Sequence, residues 1–213
     1  LVSVPHSAHH RYLAREGQNM DDLMQSIVAQ LSGAPMAQLS SQLGTDSRTT
    51  QNAVQAALPL LLGALAKNSA ASGGADALAS ALDRDHDGGI LDDIGGFLAG
   101  GASSDGAAIL GHILGKREPT VEAGIGKATG MQTDQTAQLL QMLAPIVLGY
   151  LGRQKQQQGM NAGTLGELLG TQSKQAQSQN PALSALASLL DKDDDGSIVD
   201  DLGGMLGSFL SGR

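Results

Sequence analysis

Two stretches of this chain carry carboxylates at the alternating spacing that a hard metal ion requires. Residues 77–99 read ALASALDRDHDGGILDDIGGFLA and residues 185–207 read ALASLLDKDDDGSIVDDLGGMLG, so both contain D-x-D-x-D-G and align without a gap. In a calcium loop of the EF-hand type, side chains at positions 1, 3 and 5 bind the ion and a backbone carbonyl at position 7 adds another oxygen. Glycine at position 6 allows the sharp turn between them. The spacing therefore predicts two calcium sites.

The register of each loop defines its predicted ligands. In the first loop they are Asp83, Asp85, Asp87, the carbonyl of Gly89, and Asp93. In the second loop they are Asp191, Asp193, Asp195, the carbonyl of Ser197, and Asp201. Position 12, which carries a bidentate glutamate in a standard EF-hand, is apolar in both loops, so an earlier carboxylate must close the site. We expect the second aspartate of each pair to close it, and the alternatives are Asp92 and Asp200.

Other chemistries are less well supported by the residues. The same loops could be solvated Asp/Gly turns whose aspartates cap the following helix, but two copies at equivalent positions favour calcium. The histidines do not occur at zinc-binding spacing. The chain has no cysteine and no G-x-S-x-G, P-loop or dinucleotide fingerprint. The sequence therefore predicts a protein that is not an enzyme, and a metal-assisted hydrolase is the alternative from that class.

Composition limits the fold and the partners. Hydrophobic residues make up 41% of the chain but aromatic residues only 2%, so aliphatic side chains must form the core, which suits closely packed helices. The net charge is −8, roughly half of the 21 acidic residues lie in the two loops, and no basic stripe is present for nucleic acid. No apolar run reaches the ~18 residues of a membrane span. The default localisation is the cytoplasm, with the periplasm or secretion as alternatives.

Two further segments recur along the chain. Residues 47–65 read SRTTQNAVQAALPLLLGAL and residues 133–151 read TDQTAQLLQMLAPIVLGYL. Each has a hydroxyl residue suited to N-capping at its start, apolar residues at helical spacing, and a proline that should kink or restart the helix. The apolar positions that match are 54, 57, 58, 61, 62 and 65 in the first segment and 140, 143, 144, 147, 148 and 151 in the second. These helices should form the core.

The repeats predict an all-α, internally duplicated multi-helix bundle with two helix–acidic loop–helix units, within one compact domain. Unit one covers residues 20–104, and unit two covers residues 105–213. A Gln-rich insertion at 155–179 is interpreted as a surface excursion with a short helix at Leu165–Leu169. Residues 1–19 differ in composition and are interpreted as a leader or otherwise non-native segment.

The motif L-P-x-L-L-x-x-L (with Leu58 and Pro59) together with D-x-D-x-D-G-x-[IV]-x-D-D-[IL]-G-G resembles the YidB-like family of bacterial proteins of unknown function. The resemblance covers nearly all of residues 20–213. It implies an all-helical fold and no particular activity.

These observations together predict a calcium-binding helical scaffold or interaction protein, in which calcium stabilises the two loops. The alternative is a calcium sensor that exposes an apolar groove when it binds the ion. A protein partner of unknown identity fits either function. The residues leave the oligomeric state open.

Overall fold

The computed structural model describes residues 20–179, and this part of the chain is all-α, without a β-strand. The helices are α1 (Met20–Leu31), α2 (Ala34–Leu43), α3 (Ser47–Ala70), α4 (Gly74–Asp85), α5 (Ile94–Ala99), α6 (Ser104–Leu114), α7 (Glu118–Thr129), α8 (Thr133–Gln158) and α9 (Ala162–Gln179). Short 3-10 helices cover Gly89–Asp92 and Gly115–Arg117. The predicted all-α class is confirmed. Residues 1–19 and the whole second acidic loop lie outside the described residues.

The two long helices, α3 and α8, form the centre of the bundle. All twelve of the apolar positions predicted for them are buried. Helices α6 and α7 pack against α8, while α2, α4, α7 and α9 pack against α3. The core prediction is therefore confirmed. Helical spacing places these apolar side chains on one face of each helix, and burial of that face removes them from water.

The N-caps of both long helices lie one residue earlier in the chain than predicted. The N-cap of α3 is Asp46, whose carboxylate accepts hydrogen bonds from the backbone N–H groups of Arg48 and Thr49, both at 3.0 Å. The N-cap of α8 is Gln132, whose backbone N–H donates to the side chain of Gln135 at 3.1 Å. The hydroxyl residues at 47 and 133 are thus the first helical residues, and the prediction that they are the caps was wrong.

The internal prolines do not interrupt either helix. Pro59 lies inside α3 and Pro145 inside α8, and each helix continues through its proline as one element. A proline removes one backbone donor, but burial on both sides of it keeps these helices together. The predicted restart therefore does not occur, while the alternative, a kink at each proline, stays a prediction.

The two long helices also share a buried threonine one turn from the N-cap. Thr50 donates its hydroxyl to the carbonyl of Asp46, and Thr136 donates to the carbonyl of Gln132, each at 3.0 Å. Both threonines are fully buried. In chain order, the two α-helices immediately before each long helix and the one immediately after it are all shorter than the long helix. These equivalences agree with an internal duplication, which stays a prediction.

The Gln-rich segment is not the surface excursion that the sequence suggested. It begins with the last turn of α8 and continues as the 18-residue helix α9, which packs against α3 and α4. Leu165 and Leu169 are 0% and 1% exposed. Leu165 and Leu169, four residues apart, form the buried face of this helix, although glutamine and other polar residues dominate its composition. Among the described helices, none is both long and apolar enough to cross a membrane.

Candidate functional site: the first acidic loop

The first acidic loop connects α4 to α5. Helix α4 continues to Asp85, so that Asp83 and Asp85 both lie in its last turn rather than in an extended segment. The chain then turns at Gly88, whose φ of +99° lies in the region that favours glycine. A 3-10 helix follows, and Asp93 is the N-cap of α5. The turn at Gly88 is where the calcium-loop register requires one.

The loop is packed against a face of α8 that carries two glycines, Gly149 and Gly152. A Cβ added to Gly152 would overlap the backbone carbonyl of His86, and one added to Gly149 would lie 2.5 Å from Cγ2 of Ile90. Gly149 and Gly152 are three residues apart and therefore face the same side of the helix. The absence of side chains at these two positions lets the loop backbone touch α8 directly.

Two basic side chains at the end of α8 hold the loop in place. Arg153 donates from Nη2 to the carbonyl of Gly88 at 2.7 Å and to the carboxylate of Asp92 at 2.6 Å. Lys155 pairs with Asp83 at 2.5 Å, and the lysine side chain is only 12% exposed. One predicted ligand and the alternative closing residue are therefore already neutralised by α8.

The other predicted ligands of this loop have separate roles. Asp87 accepts a hydrogen bond from the backbone N–H of Gly89 at 2.9 Å, and Asp93 accepts one from Gly96 at 2.8 Å. Asp85 has no ion pair with any residue that the structure describes. Over residues 23–171, whose side chains the structure describes, no three acidic or histidine side chains form a group that could hold a metal ion. The predicted calcium ligands do not converge in this arrangement, and calcium binding stays a prediction.

A cavity of about 200 Å³ opens between the loop, α5, α6 and α8. Its polar lining includes Asp85, His86 and Asp87 from the loop together with Asp105 from α6. Its apolar lining is Ile90, Phe97, Ile109 and Pro145. Asp105 is not among the predicted site residues, because a single aspartate in the first turn of a helix is common and nothing near it in sequence indicates that it faces the loop.

Burial changes the ionisation of the histidine at the cavity. The pKa of His86 is lowered below its ordinary value because desolvation penalises the imidazolium, and the nearby Asp85 carboxylate opposes this only in part. The neutral imidazole is therefore favoured at neutral pH. His86 leaves the negative charge of the cavity uncompensated.

The fold and the loop define a class of protein: an all-α bundle in which an acidic inter-helix loop is held against one of two long central helices. The chain belongs to the family described as "Bacterial protein of unknown function (DUF937)", which matches residues 25–154. That match includes the whole first acidic loop and both α8 glycines, and it ends before α9. No curated protein and no solved structure matches the chain.

Proposed function

We propose that this protein is a non-catalytic helical scaffold or interaction protein whose first acidic loop is a recognition surface for a cationic group. The loop is held against α8 by Arg153 and Lys155. Its role is to present carboxylates, not to perform chemistry on a substrate.

The observation that carries this proposal is the division of the loop carboxylates between two sides. Asp83 and Asp92 face α8 and are paired with Lys155 and Arg153. Asp85 and Asp87, by contrast, line the cavity beside Asp105, without a salt bridge to any side chain of residues 23–171. Like charges held close together repel each other unless a cation neutralises them. A cation supplied by another molecule would relieve that repulsion on the cavity side.

Photo-cross-linking in bacterial cells tests this proposal. A photoreactive residue would replace Ala108, which is exposed and precedes the cavity residue Ile109, and a control would replace the exposed Arg48 in the first turn of α3. We expect a discrete cross-linked product from position 108 alone, and its loss when Asp85 and Asp105 are both changed to asparagine. Equal products from both positions, or none from position 108, would contradict the interaction function.

Calcium binding is the second candidate, and the turn at Gly88 favours it because a calcium loop needs a glycine there. For the predicted ligands to converge, the last turn of α4 would have to unwind and Asp83 would have to leave Lys155. We also keep the more specific resemblance to YidB-like proteins as a proposal. It rests on the L-P-x-L-L-x-x-L segment at Leu58 and on the two D-x-D-x-D-G loops.

A further inference from the structure

We propose that the cavity beside the first acidic loop receives an arginine side chain from a basic, partly apolar segment of a partner protein. This inference rests on the proposed interaction function and names the chemistry of the partner. The reasons are the charge of the cavity, its size and the nature of its walls.

The charge of the cavity calls for a cation from outside. Asp85, Asp87 and Asp105 are exposed carboxylates at its lining, whereas the salt bridges of Asp83 and Asp92 lie on the α8 side of the loop. The loop thus carries neutralised carboxylates on one side and unneutralised ones on the other.

The size of the cavity favours an organic cation over a metal ion. A metal ion requires several oxygens within about 2.6 Å of one point, and the side chains of the described region do not form such a group. The carboxylates instead surround a space of about 200 Å³. A planar guanidinium can bridge carboxylates that are too far apart to chelate one ion, since its donors point outward in a fixed fork.

The walls of the cavity suit the stem of an arginine. Ile90, Phe97 and Ile109 are half-buried and Pro145 is buried. A long basic side chain buries its methylene groups along apolar surface and keeps its charged head near polar groups. A guanidinium also stacks on an aromatic ring, which an ammonium does less well. The combination of Phe97 with several carboxylates therefore selects arginine over lysine.

The partner is a different protein rather than a second copy of this chain. Each copy carries a net charge of −8, so two copies repel each other at long range. Near the loop, Arg153 and Lys155 are ion-paired within their own chain, and Arg84 donates from Nε to the backbone carbonyl of Ser80. A basic segment of another protein can pair with the cavity carboxylates without this repulsion and without the breaking of contacts within the chain.

The test is a titration of the isotope-labelled full chain followed by nuclear magnetic resonance. The probe is a blocked five-residue peptide, Gly-Leu-Arg-Leu-Gly, and its control carries citrulline, the uncharged analogue of arginine, in the central position. We expect saturable shifts of the amide signals of Gly88, Gly89, Phe97 and Asp105. The citrulline peptide should bind at least about tenfold more weakly, since the charge-assisted contacts are lost.

Two matched variants distinguish binding at the cavity from nonspecific attraction of the peptide to an acidic protein. Asp105→Asn should weaken the arginine peptide about fivefold, which corresponds to the loss of one partly exposed charge contact. Asp76→Asn should leave it unchanged, because Asp76 is also an exposed aspartate in the first turn of a helix but lies outside the cavity. Equal weakening by both variants, equal binding of the citrulline peptide, or shifts elsewhere on the chain would overturn the proposal.

Two further outcomes have distinct meanings. If blocked free arginine binds as tightly as the peptide, the ligand is a small organic cation and the assignment to a partner protein is wrong. If the peptide fails to bind while cross-linking from position 108 persists, the arginine proposal falls and the interaction function stands. If neither peptide binding nor cross-linking were observed, both the arginine proposal and the proposed interaction function would be wrong.

Discussion

The backbone carbonyl of His86 lies directly against the Cα of Gly152, so that no side chain can be accommodated between the acidic loop and α8. This contact, together with the packing of Ile90 on Gly149, determines how closely the loop approaches α8. It also brings Gly88 and Asp92 within reach of Arg153. The position of the loop backbone at His86 and Asp87 therefore depends on a glycine in a distant part of the chain.

Replacing Gly152 by alanine should separate the loop from α8. The added Cβ meets a backbone atom rather than a movable side chain, so we expect the free energy of unfolding to fall by about 1–3 kcal/mol, as in other overpacked sites. Urea denaturation measures this change. Gly170→Ala is the matched control: nothing lies within 4 Å of a Cβ at this helical glycine, and the better helix propensity of alanine should add up to about 1 kcal/mol. If Gly152→Ala and Gly170→Ala changed the free energy of unfolding by the same amount and in the same direction, the close contact at Gly152 would not limit the size of the side chain there.

Arg153 should contribute more through the Gly88 carbonyl than through Asp92. The aspartate side chain is 74% exposed, so a double-mutant cycle between the two side chains should give a coupling below about 1 kcal/mol that weakens as salt is added. Arg153→Met should nevertheless lower stability by about 1.5–3 kcal/mol, since the carbonyl of the buried Gly88 loses a charged donor. A cost of Arg153→Met that equals the cost of Asp92→Asn would contradict this assignment.

Leu165 should prove as important as the leucines of the central helices. It is 0% exposed in a helix that packs on α3 and α4, and truncation of a buried leucine to alanine costs about 2–5 kcal/mol. Leu165→Ala should lower the melting temperature accordingly. Gln157→Ala, in the exposed last turn of α8, should change it very little. A near-neutral Leu165→Ala would mean that α9 is not part of the core.

The cap of α3 should make stability depend on pH in the acidic range. The Thr49 hydroxyl and the backbone N–H groups of Thr49 and Arg48 lower the pKa of Asp46 below its ordinary value of 3.8. A depressed folded-state pKa means that this contribution is complete above the unfolded pKa and is lost as the pH falls through the folded pKa. Asp46→Asn should flatten the stability profile below about pH 4, as measured by urea denaturation at a series of pH values. Parallel profiles for the two proteins would contradict this role.

If calcium binds the first loop, Lys155 competes with it for Asp83. Lys155→Met should then raise the calcium affinity measured by calorimetry, because the carboxylate is released from its ion pair. At a hundredfold excess over Kd, a bound ion should stabilise the fold by about 2.7 kcal/mol. Asp93→Asn and Asp92→Asn identify the closing ligand, because only the change at the true ligand should abolish binding. No calcium heat in either the wild-type chain or Lys155→Met would end the calcium proposal for this loop.

Much of the fold could be predicted from the sequence because its signals are local. Apolar residues at helical spacing indicated α3 and α8 together with the buried positions on each, and Gly88 marked the turn of the loop. The exact caps could not be predicted in the same way. Asp46 and the hydroxyl residue after it are both good N-caps, and the choice between them depends on which residue first adopts helical backbone angles.

Only the tertiary structure decided the partners of the acidic loop. An aspartate at calcium-ligand spacing can equally pair with a lysine or accept a local backbone hydrogen bond. Asp83 pairs with Lys155 because α8 passes close by, whereas Asp87 and Asp93 accept hydrogen bonds from the nearby backbone N–H groups of Gly89 and Gly96. Gly152, Arg153 and Asp105 give no local sign of contact with the loop. Such contacts join residues far apart in sequence, and their energy appears only after the helices between them have packed, whereas helical periodicity is present in any short segment of the chain.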